Sequence, residues 1–274
     1  MLVRIEQYLS ASLISVSLEF FPIHLHKTCD LPPDRPYVFG CHPHGIISLG
    51  SFGNFATEAT GFEKLFPGIN LRFLVLSSNF QIPFYELFLM AMGICDASKE
   101  SCNNILKRGN GNSILLVLGG SKEALDARPS SEYLLTLKSR KGFVKIALTN
   151  GASLVPVFSF GENDLYEQVP NPRGSMLRTI QTTLQKRMGY SLPLFHGRGI
   201  FQYKFGILPN RHPIDAYVGE PIDVPKLSPE QITPEIVDEY HKKYMNALVR
   251  LFDTHKAKHG NADASIVFLD DTSA

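Results

Sequence analysis

Short apolar runs separated by turn residues divide the 274-residue chain into strands and helices. Residues 37–41, 71–76, 113–118 and 153–160 are almost uninterrupted Val, Ile, Leu and Phe stretches, the pattern of strands buried on both faces. Residues 133–137, 200–205, 214–218 and 266–269 read as further strands. Between them the apolar spacing changes to the helical period. Residues 46–60 begin with glycines and become helix-compatible, and residues 82–92 form an apolar helix opened by Pro83. Ser98 caps a helix reaching about Lys107, and residues 141–150 align Phe143, Ile146 and Ala147 ahead of Gly151. Residues 175–188 carry bases along one side and stop at Gly189, and Pro234 opens a long helix to about His259. Alternating apolar strands and helices predict an α/β fold, a single domain with a mostly parallel central sheet flanked by helices.

The first residues follow a different rule. Leu2, Ile5, Leu9, Leu13, Val16 and Phe20 form a helical stripe opposite a serine-rich face, and Pro22 ends it. An N-terminal amphipathic helix is expected, within a segment 1–27 set apart from the main domain, 28–274. It either packs on that domain or lies in a membrane interface. No run of about 18 apolar residues exists, so no transmembrane helix is expected.

Composition changes this picture little. A net charge of +1 gives no reason to expect nucleic acid, and 44% hydrophobic against 19% charged residues is a globular balance. Cys29, Cys41, Cys95 and Cys102 form no C-x-x-C pair, which favours reduced thiols on the cytosolic side of any membrane.

Candidate chemistry gathers at three strand ends. The run 37–41 stops on His42-Pro43-His44-Gly45, where imidazoles able to move protons near neutrality flank a torsionally fixed proline. The run 113–118 stops on Gly119-Gly120 ahead of Glu123, and the run 153–160 on Gly161-Glu162-Asn163-Asp164. Parallel strands would open all three loops on one rim, where ligands of α/β sheets bind. One carboxylate among Glu123, Glu162 and Asp164 could then orient His42 or His44 as a general base on a substrate hydroxyl. Backbone N–H groups around Gly45, or near Gly119 and Gly120, are candidate oxyanion donors. Ser121 lacks a nucleophile elbow, and His24-x-His26 has no further close ligand, so no metal is expected. Arg140, Lys141 and Lys145 lie around one helix start and suit an anionic carrier such as coenzyme A. The apolar residues 80–92 would line a hydrophobic cleft or serve as core.

Several stretches now fall into a known order: Phe21-Pro22-Ile23 with Lys27-Thr28, the His42–Gly45 turn, Asn54-Phe55-Ala56-Thr57-Glu58, Phe66-Pro67-Gly68-Ile69, Gly119-Gly120-Ser121-Lys122-Glu123, Arg140-Lys141-Gly142-Phe143, Phe160-Gly161-Glu162-Asn163 and His196-Gly197-Arg198-Gly199. The chain resembles the type-2 diacylglycerol acyltransferase family, which includes the monoacylglycerol acyltransferases. That resemblance implies a glycerolipid-acyltransferase-like fold and makes 28–274 an acyltransferase domain. It implies acyl transfer from acyl-CoA, as co-substrate, to diacylglycerol, giving triacylglycerol, with monoacylglycerol as the alternative acceptor. A lipid-ester hydrolase and an inactive lipid-binding short form are the alternatives of another class. No metal or redox cofactor is required. The implied partners are acyl-CoA, acylglycerol and a membrane or lipid-droplet surface, at the cytosolic face of the endoplasmic reticulum, with homo-oligomerisation left open. His44 is the expected base, His42 its companion and Glu123 the expected acidic partner, with Glu162 and Asn163 as further cleft candidates. Two departures stand out. Family members carry a transmembrane hairpin before the Phe-Pro segment, for which this chain starts too late. The His-x4-Asp pair of related glycerolipid enzymes is absent, since Ile47 and Leu49 occupy those positions.

Overall fold

The computed structural model describes residues 21–202 and 205–270. Its strands are β1 (Ile23–Lys27), β2 (Tyr37–His42), β3 (Asn70–Val75), β4 (Cys95–Asp96), β5 (Asn112–Val117), β6 (Glu132–Thr136), β7 (Ser153–Phe160), β8 (Glu167–Gln168), β9 (Phe195–His196), β10 (Ile214–Val218) and β11 (Ser265–Leu269). Its α-helices are α1 (Leu49–Phe55), α2 (Phe62–Leu65), α3 (Tyr85–Ala91), α4 (Lys99–Leu106), α5 (Gly120–Glu123), α6 (Gly142–Asn150), α7 (Met176–Met188) and α8 (Pro234–His255).

Seven strands form one sheet in the order β1-β10-β7-β2-β5-β3-β4. All neighbours are parallel except β10 and β7. The fully apolar runs occupy its centre, and every residue of β2 and β7 is buried. The two-residue period of β2 splits its side chains between two cores. Val38 joins the layer beneath α4, α6 and α8, while Tyr37, Phe39 and Cys41 face the layer beneath α1, α2 and α3. The caps read from sequence also form: Ser98 accepts the Ser101 N–H, and Gly151 and Gly189 adopt left-handed conformations.

Three expectations require correction. Residues 23–27, grouped with the N-terminal helix, form β1 at the sheet edge; the stripe through residues 2–20 lies outside the described residues. The long C-terminal helix ends at His255 and tightens into a 3-10 turn, Lys256–His259. The described residues of 200–205 contribute no strand. The chain there makes only isolated bridges, Gly197 with Gly206 and Arg198 with Leu208, and Phe201 projects into solvent at its tip.

The topology places the chemistry. β2, β3, β5 and β7 all end on one rim, and β10 and β1 begin there. The loops 42–48, 118–123 and 161–165 open together on that rim, together with the chain leading into β10.

Candidate active site

His42 and His44 leave the buried centre of the sheet with different fates. The ring of His42 is wholly buried, 3.1 Å from the Tyr244 hydroxyl of α8. That hydroxyl donates to the Gly40 carbonyl, so it accepts from Nε2–H of His42. Nδ1 of His42 is buried without a hydrogen-bond partner among the described residues. Burial pushes its pKa down to about 3, which keeps the ring neutral. His44 follows a cis His42–Pro43 bond and lies partly exposed at the rim. Its Nδ1 is 3.0 Å from the Gly45 carbonyl, an acceptor only, so Nδ1 carries the proton and Nε2 keeps its lone pair. Close packing around the ring lowers its pKa, partly offset by that hydrogen bond. A neutral imidazole with a fixed tautomer and a free Nε2 is the form a general base requires.

Glu123 meets His44 at a different atom from the one expected. Its Oε1 accepts the backbone N–H of His44 at 2.6 Å, and its Oε2 the N–H of Thr136 at 2.9 Å. The carboxylate therefore ties the histidine loop to the end of β6, and the Gly45 carbonyl orients the ring. Glu162 performs a matching task on the far side: its Oε2 accepts the Gly50 N–H at 2.8 Å. Its Oε1 is buried and has no partner among the described residues. Burial raises both carboxyls to about 7, against the downward pull of those N–H donors.

The glycines explain how two buried carboxylates fit. A Cβ on Gly119 would stand 2.1 Å from Glu123 Oε2, and one on Gly45 would stand 2.6 Å from Glu162 Cγ. Gly45 also has φ of 63°, a left-handed conformation that side chains resist. Gly120 has the same φ and lies beside the Arg140 guanidinium. Among the bases, Lys141 pairs with Asp238 of α8 at 2.6 Å, and Lys145 is exposed on α6. Together with Gly142 and Pro234 these two line a cleft of about 370 Å³. Asn163 and Asp164 share the turn with Glu162.

Other candidates separate from this centre. A cleft of about 500 Å³ beside α1, α2 and β3 takes in Met92, from the apolar 80–92 stretch, but none of the candidate histidines, acids or bases. Within residues 82–92 only Leu89 is buried well among the large apolar side chains, so most of α3 is neither core nor enclosed cleft. His24 and His26 gather with His259 around Asp215, at 3.3, 2.6 and 3.6 Å. No group suited to holding a metal occurs among the described residues. Tyr244 was not foreseen; its only sequence signal was a position on the apolar stripe of α8.

The sequence profile of the diacylglycerol acyltransferase family matches residues 4–269. The chain belongs to the diacylglycerol acyltransferase family. It is an acyltransferase, and its family members include close matches of two kinds. Diacylglycerol O-acyltransferase 2 of Dictyostelium discoideum is 54% identical over 238 residues, 87% of this chain and 71% of that protein. The 2-acylglycerol O-acyltransferase 1 of Bos taurus is 52% identical over 244 residues, 88% of this chain and 72% of that protein. A solved structure, the 1-acyl-sn-glycerophosphate acyltransferase PlsC of Thermotoga maritima, aligns with 91% of this chain and 79% of its own. Its TM-score is 0.46 at 15% identity.

Proposed function

We propose that this acyltransferase moves a fatty acyl group from acyl-CoA to the free hydroxyl of diacylglycerol, forming triacylglycerol, with His44 as the general base. The observation that carries the reading is the Nδ1 contact to the Gly45 carbonyl, which leaves the ring's lone pair on Nε2. Nε2 takes the hydroxyl proton as the oxygen attacks the thioester carbon. The C–S bond breaks, and the proton passes to the coenzyme A thiolate. Backbone N–H groups around Gly45 and Gly120 hold the developing oxyanion. Arg140, Lys141 and Lys145 attract the phosphates of the donor. Glu123, His42 and Glu162 are positioning residues, holding the loop rather than exchanging protons with substrate. The reaction takes place at the cytosolic face of the endoplasmic reticulum and at lipid-droplet surfaces, and no helix among the described residues is long and apolar enough to cross a membrane. A monoacylglycerol acceptor is the second reading, favoured by relatives such as 2-acylglycerol O-acyltransferase 1.

Membranes containing the expressed chain, given labelled oleoyl-CoA with either acylglycerol, test this directly. The expected result is labelled triacylglycerol, reduced about 10²–10⁴-fold in His44→Ala. Undiminished synthesis in that variant removes His44 as the base. Release of free fatty acid without acceptor identifies a hydrolase instead. The lowered pKa of His44 also predicts that the acid-side decline of kcat/KM has its midpoint below that of an ordinary histidine.

A further inference from the structure

Residues 169–214 contain seven Lys or Arg and no Asp or Glu, in a chain whose net charge is only +1. The same stretch exposes large apolar side chains. Ile200, Phe201, Phe205 and Ile207 are 77%, 98%, 66% and 83% exposed on the loop that leads into β10. Met176 and Ile180 are exposed one turn apart on α7, and Lys186 and Arg187 lie exposed in its last turn. Arg173 and Arg178 face Asp126, but exposed apolar tips near the exposed Lys186 and Arg187, in a stretch that holds no acid of its own, are the composition of a surface that inserts shallowly into a negatively charged lipid layer. A protein partner would be expected to meet some of those bases with its own acids, and a water-facing loop would gain nothing from a fully exposed phenylalanine.

The position of this stretch adds a second observation. α7 is fastened to the turn carrying Glu123: Arg178 reaches both oxygens of Asp126 at 2.8 and 2.9 Å, and Ser121 Oγ donates to the Gly189 carbonyl at 3.3 Å. The loop beyond it hangs from the start of β10, on the rim where His44 lies. On the other side of His44, the chain leaving β3 exposes Phe84, Leu87 and Met90, with Glu86 as the only charge between residues 77 and 95. Apolar surface therefore brackets the mouth of the site, basic on one side and neutral on the other.

We infer that the described residues of the stretch 169–214 form an interfacial docking surface for a bilayer containing anionic lipid, and that this surface presents the His44 rim to acylglycerol within the lipid. The second half of that statement rests on the proposed reaction; the first does not. Docking draws on two forces. The bases attract the charged surface within a Debye length, and the Phe201 loop then buries its apolar tip among acyl chains. The occupant is lipid, with a second copy of the chain as the rival.

Flotation of the full chain with phosphatidylcholine vesicles, with and without about 30 mol% phosphatidylserine, reads the docking without any turnover. The expected result is much stronger binding to the anionic vesicles, lost in high salt. Replacing Lys186 and Arg187 together by Ala should lower the anionic partition about 25-fold, from about fivefold per base. Phe201→Asp should lower binding to both vesicle types, and its exposed site leaves the fold intact, checked by an unchanged melting temperature. His44→Ala should bind vesicles as the wild type does. Equal binding to neutral and anionic vesicles, unaffected by these substitutions, overturns the inference. So does an unchanged vesicle affinity in Phe201→Asp accompanied by loss of a dimer in sedimentation, which would assign the surface to a second copy. Vesicle binding as expected with no triacylglycerol formed would retire the proposed reaction and leave the docking surface standing.

Discussion

Glu123 and Glu162 are two answers to one problem, how to hold the loop that carries His44 without touching its ring. Both are buried, both accept backbone N–H groups of the 44–50 segment, and both occupy space that a glycine leaves open. They differ in how their oxygens are used. Each oxygen of Glu123 accepts a separate N–H, from His44 and from Thr136. Glu162 leaves Oε1 without a partner among the described residues. A carboxylate with two occupied oxygens has no isosteric substitute, whereas one with an idle oxygen does.

Amide substitution separates the two most strongly. In Glu123→Gln the new NH2 group must face one of two backbone N–H donors. Such a mismatch leaves a buried donor unsatisfied, at about 1–3 kcal/mol, and a displacement of His44 can cost about 10²-fold in rate. Glu162→Gln can turn its NH2 into the unpartnered position and keep the Gly50 bond, so its rate at neutral pH should stay within about threefold. Steady-state rates and urea unfolding of both variants decide the matter. Equal losses would mean that the unpartnered oxygen is in use.

Titration gives the next largest effect. Glu162 has a folded pKa of about 7 against an ordinary 4.5, so the stability it lends is complete below pH 4.5 and lost as pH rises through 7. Neutralising it as Gln should therefore gain on the order of 3 kcal/mol, relative to the wild type, between pH 4.5 and pH 8. His42 works in the opposite sense. Its pKa is depressed to about 3, so its contribution is complete above 6.5 and is lost as pH falls toward 3. Denaturant midpoints measured from pH 4 to pH 8 should show the Glu162→Gln advantage growing with pH. A constant difference would place the carboxylate in an ordinary, solvated state.

Alanine at the glycines gives the smallest separation. Gly45→Ala combines left-handed strain with a contact against Glu162 Cγ and should cost about 2–4 kcal/mol. Gly120→Ala has the same backbone strain but meets nothing closer than the Arg140 guanidinium at 3.7 Å. It should cost about 1–2 kcal/mol. Thermal unfolding of the pair isolates the part of the Gly45 penalty due to the carboxylate, and that part should shrink in a Glu162→Ala background.

The sheet centre and the three strand-end loops were legible because they are local. An apolar run predicts a buried strand, parallel strands predict a shared rim, and a histidine, glycine or glutamate at a strand end predicts its own position there. What touches what across the rim was not legible. Sequence could bring Glu123 to His44 but could not distinguish the ring from the backbone N–H, which differ by a few ångströms. Residues 200–205 carry the alternation of a strand, yet a strand also needs a neighbour with free backbone groups, and among the described residues of this loop only isolated bridges form. The apolar residues 82–92 posed a related difficulty: hydropathy separates oily from polar residues, not a core from an exposed surface. Tyr244 was hidden by distance along the chain.

That distance has a consequence for how the enzyme is made. The hydroxyl that fixes the His42 ring lies 202 residues downstream of it. A ribosome adding about 5–20 residues per second takes about 10–40 s to cover that interval. From the addition of Glu162 onward, the nascent chain carries the His42–Gly45 turn, both glutamates and their glycines without the helix that fixes the first imidazole. Completion of α8, rather than emergence of the His42–Gly45 turn, marks the moment at which the enzyme comes into being.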